Sequence, residues 1–199
     1  MSRQPTGIAH VIQVLARGSV DIPRRARVTY DRALHPIRNA RLRWRLANRV
    51  RPKRILVLCY GNICRSPYLQ AALQRSLPGI LVTSAGFIGR GRTVPPVALQ
   101  LGRQRGMDLS AHRSTLITPA IVRDADLVIV MDPEQARRVA ASFGITRDTI
   151  VIAPDLASTF AGVRAIHDPM NQPVEAFIST FDHLDRCVAT LVSLWAKAD

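Results

Sequence analysis

The 199-residue sequence, with 47% hydrophobic residues, is long enough for one domain with a buried core and a shorter appendage. Its net charge of +14 is uneven, since residues 1–54 carry 14 of the 28 basic side chains and two of the 14 acidic ones. Three cysteines are too few for a disulfide framework, and neither a membrane-spanning apolar run nor a signal-peptide pattern is present. We therefore expect a cytoplasmic protein with a near-neutral domain at residues 53–199 and an Arg-rich extension at residues 1–52.

The first predicted element is a helix in the extension, over residues 36–51. Ile37, Ala40, Trp44 and Ala47 share one side of this helix, with arginines around them. Two interpretations stay open: a solvated, partly helical or disordered arm, and a basic amphipathic helix that contacts an anionic membrane surface or an acidic partner. The second would place the protein peripherally at the membrane. No nucleic-acid-binding motif is present, so nucleic acid is not an expected partner.

From residue 53 onward, short apolar runs alternate with helical patterns. The predicted strands cover residues 55–59, 80–84, 127–131 and 150–153. The predicted helices cover residues 67–77, 97–105, 119–123 and 133–142, and a long one follows Pro173. Apolar strands that alternate with helices predict an α/β fold whose parallel sheet is covered by helices on both faces.

The segment Cys59-Tyr60-Gly61-Asn62-Ile63-Cys64-Arg65-Ser66-Pro67 joins the first of these strands to a helix. At such a junction, backbone N–H groups can point inward and form an anion cradle beside the helix N-terminus. Arg65 can hold two phosphate oxygens with its planar fork, and the positive field favours the thiolate form of Cys59. Ser66 can donate a hydrogen bond to the sulfur. A thiolate beneath a cradled phosphate predicts in-line attack and a cysteinyl-phosphate intermediate.

Other roles for these cysteines are weaker. Cys59 could be an inert residue at the end of a buried strand, or Cys59 and Cys64 could share a zinc ion. No second pair of ligands with suitable spacing accompanies them, so no metal is expected. Because both lie in one tight loop, we expect oxidation to join them in a reversible disulfide that protects the nucleophile. The alternative is that Cys64 only packs under the loop.

The run CYGNICRSP resembles the phosphate-binding loop of the low-molecular-weight protein-tyrosine phosphatases. The likeness covers about residues 53–199, including Ser84-Ala85-Gly86, His112, the segment 126–132 and Asp168-Pro169. The resemblance implies a three-layer α/β fold with a four-stranded parallel sheet of order 2-1-3-4. It also implies hydrolysis of phosphomonoesters without a metal or other cofactor.

The same resemblance implies roles for individual residues of the loop. Residues 60–66, from Tyr60 to Ser66, would bind the phosphate. Asn62 would brace the loop through hydrogen bonds with Ser84 and His112.

Cleavage of a phosphate ester also needs an acid that protonates the leaving oxygen. Asp168 is the candidate, because Pro169 favours an extended conformation at this position and a loop can carry it over the cradle. A second Asp-Pro pair, Asp132-Pro133, is typical of a helix start. The position of Asp168 before the last helix and its match with the family favour it over Asp132. The same aspartate can later activate water.

The walls of the predicted substrate pocket depart from the family pattern. Arg90 stands near a position that is commonly aromatic in the family, and Met170 follows the Asp-Pro pair of the acid. We expect Tyr60, with Phe87 and Met170, to supply the missing wall. Tyr60 could instead be a plain rim residue.

The predicted function is that of a protein-tyrosine phosphatase acting on a phosphoprotein. Related phosphoarginine phosphatases tend to carry Thr at the position of Ile63, so Ile63 favours an aryl phosphate, whereas Arg90 and Arg92 could favour a more anionic substrate. An arsenate reductase on the same fold would need further cysteines after the second helix, and residues 87–120 contain none. The other alternative is a catalytically weak phosphate-binding regulatory module.

Overall fold

The computed structural model describes residues 24–158 and 163–196. The described chain forms one parallel sheet from β1 (Arg54–Cys59), β2 (Leu81–Gly86), β3 (Leu127–Val130) and β4 (Ile150–Ile152). The order across the sheet is β2-β1-β3-β4, which confirms the predicted order. Cys59 lies opposite Gly86 in the register. The loops that follow β1 and β2 therefore leave the sheet side by side.

Helices flank this sheet in the described part of the chain. They are α1 (Arg24–Ala47), α2 (Arg65–Ser76), α3 (Pro96–Gln104), α4 (Pro119–Arg123), α5 (Pro133–Phe143) and α6 (Val174–Trp195). From residue 54 onward the observed strands and helices begin and end within two residues of the predicted ones. None of the described helices combines the length and apolar character that a bilayer-spanning segment needs.

Alternate residues of β1 contact the two sides of the sheet. Ile55, Val57 and Cys59 belong to the larger core, which is shared with α2, α3 and α6. Leu56 and Leu58 belong to a smaller core, shared with α4 and α5. All five side chains are at most 2% exposed. The continuous apolar run in the sequence is thus explained by a strand that is buried on both faces.

The helix α1 packs against the domain through a face that the sequence did not reveal. Leu42 and Leu46 are 8% and 1% exposed and join the larger core. Ile37 and Trp44, on the apolar side seen in the sequence, are 65% and 69% exposed. A solvated arm is therefore wrong for α1, although the predicted boundary between residues 52 and 53 stays a prediction.

Polar contacts tie α1 to the chain segment that follows β4. The side-chain amide of Asn39 donates to the carbonyl oxygens of Asp155 at 2.8 Å and of Leu156 and Ala157, both at 3.2 Å. Nε2 of His35 donates to the carbonyl of Ala157 at 2.9 Å. These carbonyl groups are not hydrogen-bonded within the sheet, and the side chains of α1 supply the donors that they need. These bonds also anchor α1 to the segment that runs on toward Asp168.

Candidate active site

The loop between β1 and α2, residues 59–66, is called the phosphate loop below. Cys59 is the last residue of β1 and Arg65 is the first of α2. The residue that caps α2, Cys64, makes no side-chain hydrogen bond to the helix. The first N–H groups of α2 thus have no side-chain cap, and such groups favour an anion at the helix start.

The thiol of Cys59 lies at the bottom of this loop, 2% exposed. Its sulfur is 3.0 Å from Oγ of Ser66 and accepts a hydrogen bond from the backbone N–H of Asn62 at 3.2 Å. The side-chain amide of Asn62 donates to Oγ of Ser66 at 2.8 Å. Because that oxygen already accepts a bond, its own hydrogen is left to donate to the sulfur. Two donors therefore converge on the Cys59 sulfur.

Asn62 is the centre of the support beneath the loop. It has a positive φ of 51°, which Asn tolerates better than most residues. Its side chain donates to Oγ of Ser84 at 2.8 Å and accepts from the backbone N–H of Thr115 at 2.7 Å. Ser84 in turn donates to Oε1 of Gln70 at 2.6 Å. Thr115 and Gln70 were not identified from the sequence, because neither lies in a recognisable motif.

His112 contacts the same support from the other side. Its Nε2 lies 2.8 Å from the carbonyl oxygen of Asn62, so Nε2 carries the hydrogen and donates. Burial lowers the pKa of His112, which keeps the ring neutral at neutral pH. The structure thus brings the predicted support residues Asn62, Ser84 and His112 together.

Arg65 and Asp168 face each other across the mouth of the loop. Nη2 of Arg65 donates to Oδ2 of Asp168, and Nη1 donates to the carbonyl of Ile166 at 2.9 Å. The Arg65 side chain is 5% exposed, whereas that of Asp168 is 43% exposed. Residues 163–173, called the acid loop below, therefore bring the predicted acid to the predicted clamp. The competing Asp132 caps α5 by accepting from the N–H of Gln135 at 2.8 Å, as its sequence context predicted.

The remaining cysteines differ from Cys59 in their surroundings. Burial, reinforced by the charge of Asp168, raises the pKa of the Cys64 thiol to about 12. Cys187 lies in α6, where its thiol donates to the carbonyl of Ala153 at 3.1 Å. All three cysteines are free thiols. Among the described residues, no three His, Cys, Asp or Glu side chains are grouped as metal ligands would be.

The structure does not bring all four predicted pocket residues to the loop mouth. Tyr60 and Met170 are 48% and 40% exposed. Phe87 is buried in the smaller core, and the guanidinium of Arg138 lies 4.5 Å from its ring centroid. The prediction that Phe87 lines the pocket is wrong, because its side chain follows β2 onto the covered face of the sheet. Arg90 lies exposed in the loop after β2.

Comparisons with known proteins agree with this geometry. The sequence profile of the family described as low molecular weight phosphotyrosine protein phosphatase matches residues 54–198. A probable low molecular weight protein-tyrosine-phosphatase, EpsP of Ralstonia nicotianae, is 36% identical over 138 residues, which cover 68% of this chain and 91% of that protein. EpsP of Ralstonia solanacearum is 47% identical over a shorter stretch of 91 residues, 45% of this chain and 62% of that protein.

Solved structures show the same fold. The tyrosine phosphatase Wzb of Escherichia coli K30, in complex with sulphate, superposes with a TM-score of 0.66 at 28% identity, covering 72% of this chain and 98% of that one. The YwlE arginine phosphatase of Geobacillus stearothermophilus also gives a TM-score of 0.66 at 28% identity, covering 73% of this chain and 94% of that one. The profile match, the shared fold and the cradle around Cys59 together show that the chain belongs to the low molecular weight phosphotyrosine protein phosphatase family and is a cysteine-dependent phosphomonoester hydrolase.

Proposed function

We propose that this protein hydrolyses phosphotyrosine in phosphoproteins, with Cys59 as the nucleophile. The observation that carries the proposal is the convergence of two donors, Ser66 and the N–H of Asn62, on the buried sulfur of Cys59. Donors directed at the sulfur stabilise the thiolate before attack and the leaving thiolate after it. A cysteine that only packs in the core would not need hydrogen-bond donors directed at its sulfur.

In the first step the Cys59 thiolate attacks phosphorus and the bond from phosphorus to the tyrosyl oxygen breaks. The electron pair goes to that oxygen, and Asp168 supplies its proton. In the second step water attacks phosphorus and gives a proton to Asp168. The sulfur–phosphorus bond breaks, and inorganic phosphate and the thiolate are released. Arg65 holds the equatorial phosphate oxygens throughout, as its planar fork allows.

Two features favour an aryl phosphate as the substrate. Ile63 is an aliphatic residue of the phosphate loop at the position where related phosphoarginine phosphatases tend to carry Thr, and its side chain packs against the larger core. Tyr60 and Met170 are exposed at 48% and 40%, and side chains of these two types can contact an aromatic ring. The similar proteins include both tyrosine and arginine phosphatases by name, so phosphoarginine is the specific competitor.

The experiment compares turnover of a phosphotyrosyl peptide and a phosphoarginyl peptide of the same sequence. We expect the phosphotyrosyl peptide to have the higher kcat/KM, and Cys59→Ser to abolish turnover of both without changing the melting temperature. Preference for phosphoarginine would contradict the substrate proposal. Phosphate binding without turnover in the wild type would instead support the regulatory-module alternative.

We also propose a cytoplasmic location in which the outer face of α1 contacts an anionic membrane surface. Tyr30, Ile37 and Trp44 recur every seven residues and are 63%, 65% and 69% exposed. Successive members lie about 10 Å apart along one side of the helix. The exposed Arg41 lies on the same side of the helix as this apolar stripe. Aromatic and aliphatic side chains beside arginines suit the headgroup region of an anionic bilayer.

The charges on α1 also argue against a second copy of the chain binding to this stripe. Asp31 is the only acidic residue of α1 and is paired with Arg38, so two such faces would bring arginines together. The test is sedimentation with vesicles of phosphatidylcholine, with and without phosphatidylserine. We expect binding only with the anionic lipid, and its loss in a variant with Ser at positions 30, 37 and 44.

A matched control carries Val174→Ser and Ile178→Ser, which remove exposed apolar side chains from α6. This control should bind as the wild type does. Trp44 fluorescence should shift to shorter wavelength on binding, against a constant signal from Trp195, which is 2% exposed. Failure to bind anionic vesicles, or concentration-dependent dimerisation that needs the stripe, would overturn the membrane proposal.

A further inference from the structure

Arg92 lies behind the phosphate loop and contacts its backbone. Its Nη2 donates to the carbonyl oxygen of Gly61 at 2.5 Å and to that of Ile88 at 3.0 Å. The backbone of Arg92 is itself fixed, because its N–H donates to Oγ of Ser114 at 3.0 Å and its carbonyl accepts from the N–H of Ser114 at 2.9 Å. Its guanidinium is therefore engaged within the protein, in contrast to the expected role in attracting an anionic substrate.

Two glycines leave the space that this guanidinium occupies. A Cβ on Gly61 would lie 3.0 Å from Nη2 of Arg92, and a Cβ on Gly89 would collide with the same guanidinium. Gly89 also has a positive φ of 68°, whereas Gly61 does not have a positive φ. Close approach of Arg92, and not backbone conformation, is thus the reason that the structure gives for glycine at position 61.

The contact at Gly61 reaches the nucleophile through one peptide group. The carbonyl of Gly61 and the N–H of Asn62 belong to the same planar trans peptide and point in opposite directions. Arg92 binds the carbonyl end, and the N–H end donates to the sulfur of Cys59 at 3.2 Å. A cation bonded to the carbonyl also polarises the peptide and strengthens its N–H as a donor.

We propose that Arg92 is a positioning residue that orients and polarises the Gly61–Asn62 peptide so that its N–H stabilises the Cys59 thiolate. The inference rests on the proposed role of Cys59 as the nucleophile. Arg92 acts through the loop and touches neither the substrate nor the sulfur. Loss of the Arg92 side chain should leave the phosphate loop folded. At pH values below the midpoint for Cys59, it should lower the fraction of Cys59 that is thiolate.

Other charged or titratable groups also surround the sulfur. Arg65 and Cys64 lie in the phosphate loop, Asp168 faces it from the acid loop, and His112 lies behind Asn62. None of them is altered in the variants below. A change in the pH dependence can thus be attributed to position 92.

The experiment measures the rate at which iodoacetamide alkylates Cys59 as a function of pH, with the modified peptide quantified by mass spectrometry. For Arg92→Gln we expect the midpoint to rise by about one pH unit, which is about a tenfold lower thiolate fraction at low pH. Arg92→Lys should restore most of the effect, since a single nitrogen makes both contacts. The matched control, Arg90→Gln, removes an equal charge from the same loop and should keep the wild-type midpoint.

Two outcomes would overturn the proposal. One is a wild-type midpoint in Arg92→Gln, which would leave Arg92 with a packing role only. The other is an equal shift in Arg90→Gln, which would mean that the general charge of the loop matters and the bond to Gly61 does not. Failure of the proposed function looks different, because Cys59→Ser would then retain phosphatase activity while Arg92 could still affect alkylation.

Discussion

Arg65 donates through Nη2 to the carboxylate of Asp168, so the proposed phosphate clamp and the proposed acid are bonded to each other. The proposed first step therefore requires the substrate phosphate to replace Asp168 as the partner of Arg65. Asp168 is then released from Arg65 and can turn toward the leaving oxygen.

We predict that Asp168→Asn lowers turnover most for substrates with poor leaving groups. Loss of a general acid typically costs about 10²- to 10⁴-fold, and alkyl phosphates should show the larger loss. An activated aryl phosphate such as p-nitrophenyl phosphate needs less protonation and should lose less. The measurement is kcat across a series of phosphates with leaving groups of increasing acidity.

The control for this prediction is Asp132→Asn, which changes the other Asp-Pro pair of the chain. Asp132 caps α5, and Asn caps a helix about as well, so this variant should be fully active on every substrate. An equal loss for all leaving groups in Asp168→Asn would show that Asp168 only holds Arg65 in place.

The sheet and the phosphate loop could be predicted because local signals specify them. Strands with apolar runs, helix starts at Pro and the loop motif all lie within short stretches of sequence. The buried face of α1 could not be predicted, because Leu42 and Leu46 share it with the polar His35 and Asn39. Those side chains are satisfied by carbonyl groups at residues 155–157, about 120 positions away in the chain.

The same limit explains the errors at the pocket. Arg90 stands near a position that is commonly aromatic in the family, so Phe87 is predicted to help supply the missing wall. Phe87 is buried because its side chain packs in the smaller core on one face of the sheet, with the guanidinium of Arg138 over its ring. Neither contact can be read from the residues around Phe87 in the sequence. The contact of Arg92 with Gly61 likewise joins two loops and has no signature in either one.

We predict that mild peroxide joins Cys59 and Cys64 in a disulfide. Peroxide oxidises the Cys59 thiolate to a sulfenic acid, and Cys64 then displaces water to form the bond. Cys64 itself resists direct oxidation, because burial raises its pKa to about 12. Mass spectrometry of the treated protein should show the linked peptides, with Cys187 still free.

In Cys64→Ser the same treatment should carry Cys59 on to sulfinic acid, and a reductant should then fail to restore activity. The wild type should recover with the reductant. Sulfinic acid at Cys59 of the wild type, with Cys64 still a free thiol, would contradict the protective role.

We predict that α1 contributes to the stability of the domain. Leu46→Ala removes a side chain that is 1% exposed within the larger core and should lower the free energy of unfolding by about 2–5 kcal/mol. Ile37→Ala, on the outer face of the same helix, should change it by no more than about 0.5 kcal/mol. Urea unfolding followed by circular dichroism compares the two, and equal midpoints would show that α1 docks too weakly to stabilise the domain.

The last prediction concerns the pH dependence of stability. His183 in α6 is 7% exposed, and its Nε2 is buried without a hydrogen-bond partner among the described residues. Burial lowers the pKa of His183 to about 4, and Arg186 and two nearby histidines act in the same direction. In the unfolded chain the same ring has a pKa of about 6.5. The unfolded state therefore binds a proton that the folded state resists, so this contribution to stability is complete above about pH 6.5 and declines toward pH 4.

Urea midpoints should fall over this range in the wild type and fall less steeply in His183→Leu, which keeps the site apolar and cannot take up a proton. An identical slope in the two proteins would show that His183 is protonated as readily in the folded state as in the unfolded chain.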